Sequence, residues 1–362
     1  MIRCDAMKDL LSSIKPAVRQ LHAYTLKHFE ARVKINQNEN PFDMPDPVKA
    51  AVHKAMTGRA WCRYPAFVPT ELAARLARFA SWRSDGVLVG NGSNELIEAV
   101  LMVTVETGKR VVIPQPTFTL YQILTVILGG EPRPVPLTET LSFDVPRITE
   151  AAAQADVTLL CCPNNPTGSM LSLDEMRSIL KAARGLVVVD EAYHEFSRQS
   201  AVPLLHEFEH LVVLRTFSKA MAMAGLRVGY LLGHPPLVEQ IAKAKLPYNL
   251  NIFSMAAAEA ALEHFPLLQP RIELLIQERE RLLAQLQQTP GVTAYPSQAN
   301  FIAFKTQHPA VQVFEELYAN GILVRDISRY PMLENFLRVS VGLPRENDQF
   351  LEALRSFLAT RL

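Results

Sequence analysis

Short, almost continuously apolar runs separated by helix-like segments constrain this chain more than any other feature. They are Val87–Val89, Arg110–Ile113, Val157–Cys162, Leu186–Val189, Leu211–Thr216 and Val228–Leu232. None alternates apolar with polar residues, so each is a strand buried on both faces, and the intervening helices supply the cover. That pattern predicts an α/β chain built on a mostly parallel, seven-stranded-type sheet between helices. Beyond residue 250 the pattern changes. A helical face of Ile272, Leu275, Ile276, Leu282, Leu283 and Leu286, with Arg279 expected at its boundary, precedes short strands and a closing helix over 347–358. This predicts a smaller α+β domain. The expected division is an N-terminal arm (1–46) packing on the small domain or a partner subunit, a large domain (47–250) and a small domain (251–362). A chain of 362 residues exceeds what one core usually organises.

Polar residues recur just past the strands, where open α/β sheets bind ligands. Lys219 and Ser218 follow the Leu211–Thr216 run, and Arg227 precedes the next. An amine so placed, beside a hydroxyl and a fixed cation, suits Schiff-base chemistry with a carbonyl while its neighbours hold an anion. That is the requirement of a pyridoxal 5'-phosphate site, and its other needs have candidates here. Asp190 closes the Leu186–Val189 run and could keep a pyridinium nitrogen protonated; it could equally cap the following residues. Tyr193 and Asn165 could donate to a phenolic oxygen, or serve as a packing residue and a turn residue. Gly92, Ser93 and Asn94 open a helix whose free N–H groups, with Ser218 and Arg227, could cradle phosphate. Phe118 could stack on the ring or belong to the core. On the small domain Arg338 interrupts an apolar strand, where a charge needs a partner, and Arg325 ends another.

Charge, cysteines and hydropathy bear on other function classes. Lys and Arg total 37 against 36 Asp and Glu, so no global field favours nucleic acid or an anionic membrane. Cys4, Cys62, Cys161 and Cys162 match neither a zinc site nor a disulfide framework, and no metal site is expected. The N-terminus lacks the apolar core of a signal peptide and no run reaches membrane-spanning length, so a cytoplasmic protein is expected.

Together these stretches resemble the fold-type I aminotransferases, and within them the histidinol-phosphate aminotransferase family. The resemblance is carried in order by Asn38–Pro41, Tyr64-Pro65, Gly90–Glu95, Pro163–Gly168, Asp190–Tyr193, Thr216–Lys219, Ala224–Arg227, Gly321–Arg325 and Leu337–Val339. It implies a fold-type I pyridoxal-phosphate transferase in which Lys219 binds the cofactor aldehyde and then moves protons. Asp190 would pair with the ring nitrogen. Asn165 and Tyr193 would hold the phenolic oxygen, and Ser93, Asn94, Ser218 and Arg227 the phosphate. Phe118 stands where many members carry tyrosine, which keeps the stacking face without the hydroxyl. Tyr64 would reach the cofactor of a neighbouring subunit, making a homodimer with shared sites the working unit. Arg338, Arg325, Asn40, Tyr24 and Tyr64 would meet the substrates. The implied reaction is ping-pong transfer of an amino group between L-histidinol phosphate and 2-oxoglutarate, giving imidazole acetol phosphate and L-glutamate. An aromatic amino acid aminotransferase and a threonine-phosphate decarboxylase are alternatives on the same fold. An effector-sensing module of a transcription regulator is another, but Asn38-Glu39 already belong to the catalytic pattern and leave no room for a DNA-binding domain.

Overall fold

The computed structural model describes residues 10–22 and 29–360. Seven strands form the main sheet: β2 (Val87–Gly90), β3 (Arg110–Gln115), β4 (Glu131–Pro136), β5 (Val157–Cys161), β6 (Leu186–Asp190), β7 (Leu211–Thr216) and β8 (Gly229–Gly233). A short β1 (Val33–Lys34) precedes them in the arm. The order is β2-β8-β7-β6-β5-β3-β4, and only β8 runs antiparallel to its neighbours. The expected mostly parallel α/β sheet is therefore present.

Side-chain parity explains why the strands read as unbroken apolar runs. Val187, Val189, Leu211 and Val213 join one core, under the helices Asp46–Thr57, Thr70–Ala80, Leu173–Ala182 and Ile252–Glu263. Their neighbours Val188, Val212 and Leu214 join a second core on the opposite face, against the helices Ser93–Thr104, Leu120–Leu128 and Pro235–Ala242. Every position of a central strand is thus inside.

β4 was not foreseen, because Glu-Pro-Arg-Pro-Val-Pro argues against a strand. As an edge strand it tolerates three prolines, all at positions of one parity. Glu131 N–H and Leu137 N–H, of the other parity, donate to Lys109 O and Gln115 O. The prolines fall where the missing N–H groups would face away from β3.

The C-terminal region carries a second, antiparallel sheet of β9 (Val292–Ala294), β10 (Phe301–Thr306), β12 (Arg325–Asp326) and β13 (Phe336–Ser340), in the order β12-β13-β10-β9. β11 (Ile322–Leu323) instead pairs in parallel with β1. Ile302, Phe304, Leu337 and Val339 share a core with Leu282, Leu286, Phe350 and Leu354 from the helices Phe265–Gln287 and Pro344–Ala359. Arg279 departs from expectation: it is buried rather than at a boundary. Its Nη1 donates to Phe196 O at 3.1 Å and Ala299 O at 3.2 Å, and its Nε and Nη2 donate to Glu280 Oε1 at 2.9 and 2.7 Å, so two backbone carbonyls and a carboxylate compensate the buried cation.

The two sheets face each other across the carboxyl ends of the parallel strands. One glycine fixes how closely a helix approaches that edge. A Cβ at Gly229 would lie 2.4 Å from Ser93 N and 2.5 Å from Gly92 C, both backbone atoms that cannot swing aside. Gly229→Ala should therefore destabilise the fold by roughly 1–3 kcal/mol in urea unfolding. An unchanged midpoint would contradict this close approach.

Candidate active site

β6 and β7 lie side by side, with Asp190 opposite Leu214 in the register. Asp190 therefore ends one strand level with Leu214, two residues before β7 delivers Thr216, and then Ser218 and Lys219, to the same edge. β8 runs the opposite way, so Arg227, just before it, also reaches this edge. Chain order reverses direction between β3 and β5, since β4 lies outside β3 and β5 inside. Phe118 follows β3 and Asn165 follows β5, on either side of that switch point.

These residues line one cavity of about 420 Å³. Of the residues singled out from sequence, it collects Ser93, Asn94, Phe118, Asn165, Asp190, Tyr193, Ser218, Lys219, Arg227, Arg325 and Arg338. Gly92 lies behind the wall: a Cβ there would be 2.5 Å from Arg227 Nη2, so glycine lets the guanidinium rest on the turn. Asn40 is elsewhere, on an adjoining cavity, with Nδ2 donating to Ala220 O and Oδ1 accepting from Phe42 N–H, both at 3.0 Å. Tyr64 is 81% exposed and stacks on Tyr248 at 4.6 Å between ring centroids. Tyr24 lies outside the described residues.

Lys219 Nζ donates to Gln37 O at 3.1 Å. Burial, followed by the positive charges of Arg338 and Arg227, brings its pKa down to about 8, against a weaker opposing pull from Glu39. Asp190 is buried and its pKa is pushed up to about 6 by desolvation, although two hydrogen bonds pull the other way. They come from Tyr121 Oη to Oδ2 at 2.6 Å and from Ala192 N–H to Oδ1 at 3.1 Å. Among the described residues no cation lies within 4 Å of this carboxylate. Tyr193 accepts from Asn38 Nδ2 at 3.0 Å, and its burial raises the phenol pKa so that it stays neutral.

The anion cradle takes shape from three elements. The helix Ser93–Thr104 begins after Gly92 (φ 81°), and no side chain caps its first turn. Arg227 Nη1 donates to Ser218 Oγ and Ala224 O, both at 3.1 Å. Arg227 makes no carboxylate ion pair among the described residues, and Glu95 in the first turn of the helix is engaged by Asn91 N–H and Asn249 Nδ2 rather than by the guanidinium.

On the facing sheet Arg325 is the register partner of Arg338. Directly opposed residues of an antiparallel pair share a face, and both arginines line the same cavity. Arg338 Nη2 donates to Asn36 O at 2.9 Å, Nη1 donates to Asn165 Oδ1, and its guanidinium lies 5.1 Å from the Phe301 ring.

Sequence reasoning passed over Tyr121, Asn38 and Tyr330. Tyr121 sits in an apolar helical stretch and resembles core filler; its three-residue spacing from Phe118 was the available cue. Asn38 lay inside a motif that reads as a turn. Tyr330 lines the cavity from an irregular loop between β12 and β13, where no periodicity marks a position.

Residues 31–354 match the family model of the class I and II aminotransferases. A histidinol-phosphate aminotransferase of Chlorobaculum tepidum is 40% identical over 346 residues, covering 94% of this chain and 99% of the relative. One from Chlorobium phaeovibrioides is 38% identical over 351 residues, covering 96% and 97%. This chain belongs to the histidinol-phosphate aminotransferase family. The aminotransferase also shares its fold with the solved histidinol-phosphate aminotransferase of Sinorhizobium meliloti in complex with pyridoxal-5'-phosphate. The TM-score is 0.86 at 23% identity, over 97% of this chain and 99% of that one.

The low pKa of Lys219 in this aminotransferase has a direct readout. A lysine titrating near 8 is mostly free amine above that pH and mostly protonated below it, yet at pH 7 it still keeps about a tenth of its amine free, far more than an ordinary lysine does. Competitive acetylation of the apoprotein, followed by peptide mass spectrometry, should give Lys219 a midpoint near pH 8. Exposed lysines should follow the ordinary value of about 10.4. A Lys219 midpoint at that ordinary value would contradict the described environment.

Proposed function

We propose that this aminotransferase moves an amino group between L-histidinol phosphate and 2-oxoglutarate, with pyridoxal 5'-phosphate, in histidine biosynthesis in the cytoplasm. Two observations test whether the residues fit the cofactor. A buried carboxylate with its pKa raised to about 6 lacks a cation, and a protonated pyridine nitrogen supplies one. An uncapped helix terminus faces Arg227 across a glycine that leaves room only for backbone, and a phosphate supplies the missing anion. Both features fit.

The proposed holding groups follow from position. Lys219 carries the aldehyde; Asp190 meets the ring nitrogen; Phe118 faces the ring. Asn165, whose Oδ1 already accepts from Arg338, keeps its amide N–H groups for the phenolic oxygen beside Tyr193. Gly92, Ser93, Asn94, Ser218 and Arg227 surround the phosphate. The bound cofactor supplies an electron sink for the bond broken at the substrate Cα. Lys219, with its pKa lowered to about 8, would take the proton from the substrate Cα and return it two atoms away, on the far side of the amino nitrogen. Neutral Tyr193 and the amide of Asn165 orient without exchanging protons.

The substrate assignment rests above all on Arg325 and Arg338 as opposed positions of one strand pair. Like charges opposed in a sheet are destabilising unless an anion lies between them. A dianionic phosphate answers two guanidinium groups, and a carboxylate of glutamate answers one fork. One pocket can thereby serve two unlike substrates; Tyr24 remains a proposed substrate contact, whereas Asn40 is held away from this pocket by its bonds to Ala220 and Phe42.

A homodimer is part of this proposal. Trp61 and Tyr64 are 76% and 81% exposed, and Tyr64, Phe67 and Tyr248 form one exposed aromatic cluster. Aromatic rings so exposed mark a protein interface. Tyr64 would then enter the partner subunit's site. The three-part division at 46/47 and 250/251 is likewise proposed, on the separate cores of the two sheets. No helix among the described residues is long and apolar enough to cross a membrane.

Three measurements check this function. Purified enzyme should transaminate L-histidinol phosphate with 2-oxoglutarate far faster than phenylalanine; equal or better turnover of phenylalanine would remove the substrate assignment while leaving the reaction class. Arg325→Ala should raise KM for histidinol phosphate by roughly 10- to 100-fold, as loss of a charge-assisted contact implies, with a smaller effect on glutamate. Mixing inactive Lys219→Ala with Tyr64→Ala protein should restore activity to about a quarter of wild type, since a hybrid dimer contains one intact site. No recovery on subunit exchange would argue against shared sites.

A further inference from the structure

Tyr121 is a fully buried side chain that touches two of the proposed cofactor contacts at once. Its hydroxyl donates to Asp190 Oδ2 at 2.6 Å. Its ring stands edge-on to Phe118, with centroids 5.6 Å apart and planes at 90°. The phenol lies in the first turn of the helix Leu120–Leu128, in the core that includes Val188, Leu159 and Cys161. Nothing about core packing requires a hydroxyl there, and an unpaired one would be costly.

The direction of the bond is fixed. Burial, and then the charge of Asp190, raise the phenol pKa well above its usual value, so Tyr121 donates and cannot surrender its proton. Asp190 therefore has one donor on each oxygen, Tyr121 on Oδ2 and Ala192 N–H on Oδ1. Ala192 N–H comes with the backbone at any sequence; Tyr121 is the part that this sequence selects.

We propose that Tyr121 is a positioning residue that keeps Asp190 ionised and aimed at the cofactor ring nitrogen while bracing Phe118 against the same ring. This rests on the assignment of Asp190 to that nitrogen. Hydrogen bonding to a carboxylate favours its charged form. Within a carboxylate–pyridinium pair, the proton then stays on the ring. Removing the donor makes Asp190 the stronger base and draws the proton toward the carboxylate, which weakens the ring as an electron sink. Tyr121→Phe keeps the ring contact with Phe118 and deletes only the donor.

The test is the ring-nitrogen ¹⁵N resonance of holoenzyme reconstituted with cofactor labelled at that atom. In Tyr121→Phe the resonance should move toward the unprotonated position, with kcat reduced about tenfold and KM nearly unchanged, the pattern of weaker transition-state stabilisation. Incorporating 3-fluorotyrosine at 121, a stronger donor of nearly equal size, should keep the nitrogen protonated to higher pH than wild type. A purely structural role would move neither resonance. Asp190→Asn separates the two levels of the inference. If it shifts the resonance and Tyr121→Phe does not, the role of Tyr121 is overturned while Asp190 keeps its own. If Asp190→Asn leaves the resonance where it was, the assignment of Asp190 fails and the proposal falls with it.

Discussion

Glu191 and Arg215 form a buried ion pair beneath the site, and the relative placement of the two central strand tips depends on it. Arg215 Nε donates to Glu191 Oε2 at 2.9 Å, and Arg215 Nη2 donates to Ser200 Oγ at 2.7 Å. The other carboxylate oxygen accepts from Ala201 N–H, so both partners are multiply satisfied. Glu191 is one residue past Asp190, and Arg215 is four residues before Lys219. The pair lies on the face opposite Asp190, the face of Val189 and Val213. It ties β6 to β7 where the backbone ladder ends and the functional loops begin. Removing one partner of such a pair leaves a buried charge and costs roughly 3–5 kcal/mol, whereas an apolar replacement of both is often neutral. Its value to the enzyme is therefore in fixing geometry more than in adding stability.

With the strand tips held, local electrostatics follow from which side chains share the cavity. The chain is nearly neutral overall, at +1, yet Lys219, Arg227, Arg325 and Arg338 all line one space. Burial, helped by the charges of Arg338 and Arg227, depresses the Lys219 pKa, and the guanidinium groups fall into two sets, one at the helix terminus and one on the facing sheet. Asp190 stands apart from them as a buried acid, answered by neutral donors. Opposite needs are thus met within one cavity: a base near neutrality, a carboxylate for a cation, and guanidinium groups for anions.

Much of this was legible in the sequence where a single rule acted alone. Strands buried on both faces announce themselves as apolar runs, and the residues after them fall at one edge by topology. Lys219, Asp190, Asn165 and Arg227 could be gathered for that reason before any coordinates. β4 was illegible because edge placement reverses the usual meaning of proline. Arg279 was misplaced because helical periodicity shows which face a residue is on, whereas its burial depends on partners that periodicity does not reveal: the carboxylate of Glu280 and the distant carbonyls of Phe196 and Ala299. Tyr121 was passed over for a similar reason: its apolar neighbours specify a core position, and only Asp190, 69 residues away, gives its hydroxyl a purpose.

Asn165 shows how the two halves of the site are made to depend on one another. Its Oδ1 accepts from Arg338, a residue of the facing sheet, while it stands on the loop after β5 in the main sheet. An amide has two ends of opposite polarity, so fixing the carbonyl toward Arg338 necessarily aims its N–H groups elsewhere. On the assignments proposed above, a side chain that is both turn former and donor would link the cofactor face to the substrate face. A substrate anion drawing on Arg338 would load its bond to Asn165 most directly. Binding on the small sheet would then be felt at the large one through this single side chain.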